Sequence, residues 1–109
     1  MGVVTAQPFA LLYDPGTIRH FAAIERMHRS LILDSIESQL RFEPDVQSRN
    51  RKSLERPSPI GATWELRLRP HNSFRVFYRV NRLGHAVLIL AIGVKVGNKL
   101  YIGGEEIEL

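Results

Sequence analysis

The residues best suited to chemistry in this sequence are arginines that alternate with apolar residues in two neighbouring segments. Arg67 and Arg69 lie in the first segment, and Arg75 and Arg79 lie in the second. Successive side chains of a β-strand point to opposite faces, so this spacing predicts four guanidinium groups on one face of a hairpin. Because four cations repel each other, a polyanion such as a phosphate chain would stabilise the arrangement. An ordinary solvated sheet face is the alternative interpretation.

The overall charge points to the same class of partner. The chain has 109 residues, 15 of them Lys or Arg and 11 Asp or Glu, which gives a net charge of +4. Three of the acidic residues, Glu105, Glu106 and Glu108, lie at the C-terminal end, so the rest of the chain is more basic than the sum indicates. Arginine dominates the cations and favours bidentate recognition of phosphate or carboxylate. Nucleic acid or an acidic protein is therefore the expected partner, unless these arginines are merely solvated.

Several function classes are disfavoured by what the sequence lacks. There is no cysteine, and the four histidines show no spacing typical of metal ligands, so we expect no metal and no cofactor. No glycine-rich phosphate loop and no catalytic triad are visible. The chain contains no apolar run long enough to span a membrane and no signal-peptide pattern at its start. We therefore expect a single cytoplasmic domain over residues 1–109.

The hydrophobic pattern predicts a short strand and two helices in the N-terminal half. Residues 9–13 form an apolar run that is typical of a strand. Apolar residues at three- to four-residue spacing then predict one helix from Pro15 to Leu31 and a second helix, capped by Ser30, that continues to Leu40. The polar segment 45–59 predicts an irregular basic loop.

The pattern changes to a period of two in the C-terminal half. Alternating apolar and polar residues predict strands over 64–69 and 74–80, and a continuous apolar run predicts a third strand over 86–92. Turn residues at 70–73 and 81–85 separate them. The predicted architecture is α+β, with an N-terminal strand, a helical hairpin and then a three-stranded antiparallel meander.

The order of these elements agrees with a set of short motifs. The runs are RNRKSL at 49–54, WELRLR at 64–69, FRVFY at 74–78 and ILAIG at 89–93, followed by Lys95 and Tyr101. Together they resemble the RelE/ParE superfamily of toxins from bacterial toxin–antitoxin systems. The resemblance covers most of the chain and implies a RelE/ParE-like fold and a cognate antitoxin as partner.

The resemblance also implies a reaction. Many toxins of the RelE branch are endoribonucleases that cleave messenger RNA on the ribosome, where the 2′-hydroxyl attacks the adjacent phosphate. Such a site must stabilise a crowded phosphorane and move protons. By this resemblance Arg75 contacts the scissile phosphate, Lys95 assists, Tyr101 orients the nucleotide, and Arg67 occupies a further basic position. Toxins of the ParE branch instead inhibit DNA gyrase, and an inactive member that only binds an antitoxin is a third possibility.

Further cations are predicted to bind the RNA backbone, namely Arg49, Arg51, Lys52, Arg56, Arg69 and Arg79. Glu65 departs from the family pattern, because it stands where RelE toxins can carry a cation, and we expect it to pair with Arg67 or Arg75. His71 lies in a predicted turn beside the basic face. It would either carry a proton in the reaction or simply be exposed.

Overall fold

The computed structural model describes residues 7–68 and 73–108. Within these ranges the chain forms two short helices and seven strands. In chain order the elements are β1 (Ala10–Tyr13), α1 (Thr17–Ala22), α2 (Arg26–Leu40), β2 (Arg51–Ser53), β3 (Trp64–Leu68), β4 (Phe74–Asn81), β5 (Ala86–Val96), β6 (Lys99–Ile102) and β7 (Glu105–Ile107). Arg69 and His71, two of the residues predicted above, lie outside the described residues.

All seven strands belong to one sheet in the order β2-β3-β4-β5-β6-β7, and β1 also pairs with β5. Strand β5 organises the sheet because it is 11 residues long. Along one edge it pairs antiparallel with β4. Along its other edge, residues 86–89 pair with β1 in parallel, and residues 93–96 pair with β6 in the antiparallel sense.

The predicted architecture, a helical hairpin followed by a three-stranded meander, is therefore wrong. The structure is mostly an antiparallel seven-stranded sheet with two short helices. Strand β2 lies within the segment predicted as an irregular loop, because pairing at a sheet edge uses backbone groups and needs no apolar side chains. Strands β6 and β7 were missed too. Gly103 and Gly104 both adopt positive φ angles, which suit the tight turn that reverses the chain between these two strands.

The helices are also divided differently from the prediction. Helix α1 ends at Ala22, well before the predicted Leu31, and Ser30 lies inside α2 rather than at its start. The break is fixed by contacts: Ile24 is buried, and the Arg29 guanidinium donates hydrogen bonds to the carbonyls of Ile24 at 3.0 Å and Ala22 at 3.4 Å. Neither helix in the described ranges is long and apolar enough to cross a membrane.

One face of the sheet, the covered face, packs against α2. Ile32, Ile36 and Leu40 recur every four residues and form one stripe of α2, which meets apolar side chains of β3, β4 and β5. Tyr78 is fully buried there, and its hydroxyl donates a hydrogen bond of 2.6 Å to the carbonyl of Pro44. Burial raises the pKa of the Tyr78 phenol, so this group stays a donor. The opposite face, the open face, carries the charged residues considered next.

Candidate nucleic-acid interface

The sheet register decides which predicted site residues share the open face. Arg67 of β3 is the direct cross-strand neighbour of Arg75 of β4, and Arg75 is in turn opposite Gly93 of β5. Directly opposed residues point to the same face, and so do residues two apart along a strand. Lys95 therefore shares this face with Arg67 and Arg75. The alternation in the sequence predicted this grouping of arginines correctly.

A groove of about 860 Å³ runs along the open face. One part of its lining comes from residues 54–58, which connect β2 to β3, and another from the β5–β6 hairpin and residues 106–108. Between them lie side chains of the central strands. The residues that line it include Arg56, Glu65, Arg75, Phe77, Lys95 and Lys99. The groove thus combines four cations from several elements with four carboxylates, those of Glu55, Glu65, Glu106 and Glu108.

Part of the open face is apolar and rigid. Phe77 and Ala91 are buried beneath Ala62, so the connection between β2 and β3 folds back onto the sheet. Hydrogen bonds close this connection, from the Leu54 amide to the Thr63 carbonyl at 2.9 Å and from the Ser58 amide to the Ala62 carbonyl at 2.9 Å. The segment predicted as an irregular loop is therefore a fixed border of the groove.

A carboxylate lies between the two opposed arginines. One oxygen of Glu65, Oε1, is 2.6 Å from Arg75 Nε and 3.4 Å from Arg67 Nε. The Arg75 side chain is only 8% exposed and that of Glu65 only 14%, whereas Arg67 is 43% exposed. Two like charges directly opposite each other destabilise a sheet, and the shared carboxylate relieves that repulsion. The expected pairing of Glu65 with Arg67 or Arg75 is confirmed, and it involves both.

The environment of Arg75 is unusually dry for a guanidinium. Its Nη1 donates a hydrogen bond of 3.3 Å to the Phe74 carbonyl, in addition to the contact of Nε with Glu65. Burial lowers the pKa of Arg75, with the charge of Glu65 acting in the opposite direction and that of Arg67 adding to the decrease. Arginine nevertheless remains protonated in proteins. A fixed and poorly hydrated positive charge therefore borders the groove.

Lys95 contrasts with Arg75 because its side chain is exposed to solvent. Its backbone is held firmly, since the Lys95 amide donates a hydrogen bond of 2.6 Å to the Ser73 carbonyl. Nearby, Gly93 allows β6 to approach closely: a Cβ atom there would lie 2.9 Å from Leu100 Cδ1 and 3.0 Å from the Tyr101 carbonyl oxygen. The backbone of Lys95 is thus hydrogen-bonded to the segment before β4, while its exposed ammonium group can reach a ligand.

Tyr101 does not join this site. It is the direct neighbour of Val94, whose side chain packs against the core of the covered face. Leu100, one residue earlier, is opposite Lys95 and lines the groove. Because side chains alternate, Tyr101 points to the face opposite that of Arg75 and Lys95. The register thus separates Tyr101 from the two cations with which the resemblance grouped it.

The cations of the segment before β3 are also distributed over both faces. Lys52 is opposite Glu65 and so belongs to the open face, and Arg56 lines the groove. Arg51 is opposite Leu66 on the covered face, and its guanidinium donates hydrogen bonds to the carbonyls of Gln39 at 3.0 Å and Val46 at 2.8 Å. These contacts tie β2 to the end of α2, so the structure shows Arg51 in a structural role.

Two more predicted cations lie away from the groove. Arg49 is exposed just before β2 and is not among the residues that line the groove. Arg79 is exposed on the open face, beyond the buried Phe77, and a Cβ atom on Gly61 would lie 3.2 Å from its Nη1. The structure thus brings Arg75, Lys95 and Arg56 together in one groove. The predicted site residues that do not line it are Arg67, Lys52, Arg49, Arg51, Arg79 and Tyr101.

Several groove residues were not singled out from the sequence as site residues. Lys99 and Asn98 reach it because β5 and β6 form a hairpin that was not predicted. Glu106 and Glu108 also line it. The cluster of glutamates near the C-terminal end was visible in the sequence, but without β7 nothing connected it to the arginines.

The described residues contain no group of three or more His, Asp and Glu side chains that could hold a metal ion. We compared the chain with protein-family models, curated proteins and solved structures, and none of the three comparisons found a match. We therefore infer the function from the geometry of the groove and from the motifs in the sequence.

Proposed function

We propose that this protein is the toxin of a bacterial toxin–antitoxin system, related to the RelE branch of the RelE/ParE superfamily, and that it cleaves messenger RNA on the ribosome. The observation that carries the proposal is the groove of about 860 Å³, in which Arg75, Lys95 and Arg56 come together from three different parts of the chain. Cations converging on one groove are typical of sites that bind a phosphate backbone.

The roles follow from the different environments of these cations. Arg75 is buried and fixed by Glu65, so it suits a single position such as the scissile phosphate. Lys95 is exposed beside it and supplies a positive charge to the phosphorane. This species forms when the 2′-oxygen bonds to phosphorus, and it collapses when the bond to the 5′-oxygen breaks; water takes the proton of the 2′-hydroxyl and returns one to the 5′-oxygen. Arg56 and Lys99 border the groove and would bind flanking phosphates. The role that the resemblance implies for Tyr101 is not part of this proposal, because its side chain points to the other face.

An antitoxin is the proposed protein partner. Several guanidinium groups cannot be buried cheaply in an interface without carboxylates to pair with them. We therefore expect an acidic or amphipathic antitoxin segment that covers the groove. If a copurified antitoxin blocks activity while leaving Arg67, Lys95 and the groove beside Arg75 uncovered in the complex, direct masking is wrong and inhibition is indirect.

Expression in a bacterial host without an antitoxin tests the proposal. We expect growth arrest, with incorporation of labelled amino acids falling before that of labelled thymidine. Early loss of DNA synthesis with DNA breaks would instead support a ParE-type inhibitor of gyrase. Lys95→Ala should relieve the arrest, whereas Arg26→Ala, which removes one exposed charge on α2, should not. A folded wild-type protein that causes no arrest would contradict both activities.

A further inference from the structure

The ion pair between Glu65 and Arg75 differs from the other pairs between an arginine and a carboxylate in the described part of the chain. Glu37 and Arg41 approach to 2.6 Å on the exposed surface of α2, where their side chains are 52% and 34% exposed. Asp45 and Arg82 also approach to 2.5 Å, but the Arg82 side chain is 68% exposed. Among the pairs within residues 7–68 and 73–108, only that of Glu65 and Arg75 has both partners mostly withdrawn from water while bordering a groove.

The contact between Glu65 and Arg75 is made at Nε, the guanidinium nitrogen that is bonded to the aliphatic part of the side chain. Glu65 Oε1 meets Arg75 at Nε, and the Phe74 carbonyl accepts a hydrogen bond from Nη1 of the same group. A guanidinium is planar, so two contacts at different nitrogens fix its plane. The orientation of Arg75 is therefore set within the free protein.

We propose that Glu65 is a positioning residue for the cleavage reaction: by holding Arg75 at Nε, it fixes the guanidinium in the orientation that stabilises the transition state. This inference rests on the proposed function. Its basis is the 2.6 Å contact, the low exposure of both side chains and the position of Glu65 in the groove lining. A preorganised donor is worth more in a dry site than one that must reorient during the reaction.

The alternative role of Glu65 is that of a competitor. Its carboxylate is an anion beside two arginines, so it would also weaken the binding of a phosphate, and its removal would then tighten RNA binding. Positioning is favoured because the contact is at the inner nitrogen of a mostly buried guanidinium. Without the carboxylate, this guanidinium would lose the compensating charge at Nε and the contact that orients that nitrogen.

Glu65→Gln tests the inference, because it removes the charge and keeps the size. We expect the maximal single-turnover cleavage rate on programmed ribosomes to fall at least tenfold, while half-saturation by ribosomes changes less than threefold. Glu65→Asp should recover part of the rate, since it restores the charge. Combining Glu65→Gln with Arg75→Ala should cost little more than Arg75→Ala alone. Glu37→Gln breaks an arginine pair of the same length outside the groove and should leave the rate unchanged.

An unchanged or faster rate in Glu65→Gln, or tighter RNA binding with no loss of rate, would overturn positioning and support competition. A rate loss that simply adds to that of Arg75→Ala would also overturn it. Thermal melting of each variant shows whether a loss of cleavage rate is caused by unfolding. If Glu65→Gln is unfolded, Glu65→Asp tests the inference instead. For that variant, positioning predicts a reduced maximal rate with unchanged half-saturation by ribosomes.

A second measurement separates this inference from the proposed function. In ¹⁵N NMR spectra the Nε–H group of Arg75 should be rigid in the wild-type protein and mobile in Glu65→Gln. Arg41 Nε should lose its order only in Glu37→Gln. If this pattern is found in a protein that cleaves no RNA, the proposed function is wrong but Glu65 does fix Arg75. If Arg75 is equally rigid in both proteins, positioning is wrong whatever the activity.

Discussion

The two faces of the sheet differ in the kinds of side chain that they carry. On the covered face, apolar side chains of α2 meet those of β3, β4 and β5, and the hydroxyl of the buried Tyr78 is satisfied by the Pro44 carbonyl. On the open face, the small apolar cluster of Phe77, Ala91 and Ala62 lies beside a mostly buried ion pair and an open groove. Stability and the proposed chemistry therefore depend on opposite faces of the same strands, so substitutions can separate them.

The largest expected effect on stability lies on the covered face. Ile89 is fully buried, and Ile89→Ala removes apolar surface and leaves a cavity, so the free energy of unfolding should fall by about 3 to 4 kcal/mol. Urea denaturation measures the change. Leu83 is fully exposed, and Leu83→Ala should stay within about 0.5 kcal/mol of wild type. Equal losses in the two variants would contradict the assignment of the core to this face.

The largest expected effect on activity lies on the open face. Arg75→Lys keeps a positive charge but loses the planar group that Glu65 holds, so single-turnover cleavage should fall by about a hundredfold. Arg41→Lys makes the same change in the exposed pair with Glu37 and should cleave at the wild-type rate. Wild-type activity in Arg75→Lys would show that a point charge suffices and that the fixed geometry is unimportant.

A smaller effect should appear as a dependence of stability on pH. His20 is buried, and its Nδ1 accepts a hydrogen bond of 3.2 Å from the Ile92 amide, which joins α1 to β5. Burial lowers the pKa of His20, helped by the charge of Arg19 and opposed by Asp14. The unfolded chain therefore takes up this proton first, so the stabilisation is complete above about pH 6.5 and is lost as the pH falls below it.

Thermal melting between pH 7.5 and about pH 5.5 measures this loss. His20→Gln replaces the imidazole with a side chain that does not titrate, so its melting temperature should fall less over the same range. If His20→Gln and wild type lose stability in parallel, the contact with the Ile92 amide is not responsible.

The smallest expected effect is that of Tyr101. Because its side chain points to the face opposite Lys95, Tyr101→Phe should change single-turnover cleavage by less than about twofold. This variant keeps the ring and removes only the hydroxyl. A loss similar to that of Arg75→Lys would mean that Tyr101 reaches the RNA. The separation of Tyr101 from the site on the open face would then be wrong.

The sequence predicted those parts of the molecule in which side-chain pattern alone decides the structure. Alternation over Trp64–Leu68 and along β4 identified two strands and the shared face of Arg67 and Arg75. Alternation could not predict on which face of the sheet Arg51 and Lys52 lie. The two residues are adjacent and both basic, and it is the pairing of β2 with β3 that places Arg51 on the covered face. No pattern in the residues could supply that pairing.

The position of Tyr101 was unpredictable for a similar reason. A tight turn at residues 97–98 sets the register between β5 and β6, and a shift of one residue would have moved Tyr101 to the face of Lys95. The burial of His20 could not be predicted from the sequence for a different reason. It becomes buried only because α1 packs against β5, a contact between residues that are distant in the sequence.

The most direct test of the central claim is the cleavage of messenger RNA on programmed ribosomes by Lys95 variants under single-turnover conditions. If Lys95 supplies a fixed positive charge to the groove, the wild-type protein cleaves the message, Lys95→Arg keeps most of that rate and Lys95→Ala loses about a hundredfold or more. Full activity in Lys95→Ala, or no cleavage by folded wild-type protein, would contradict the assignment of the groove as an RNA-cleaving site.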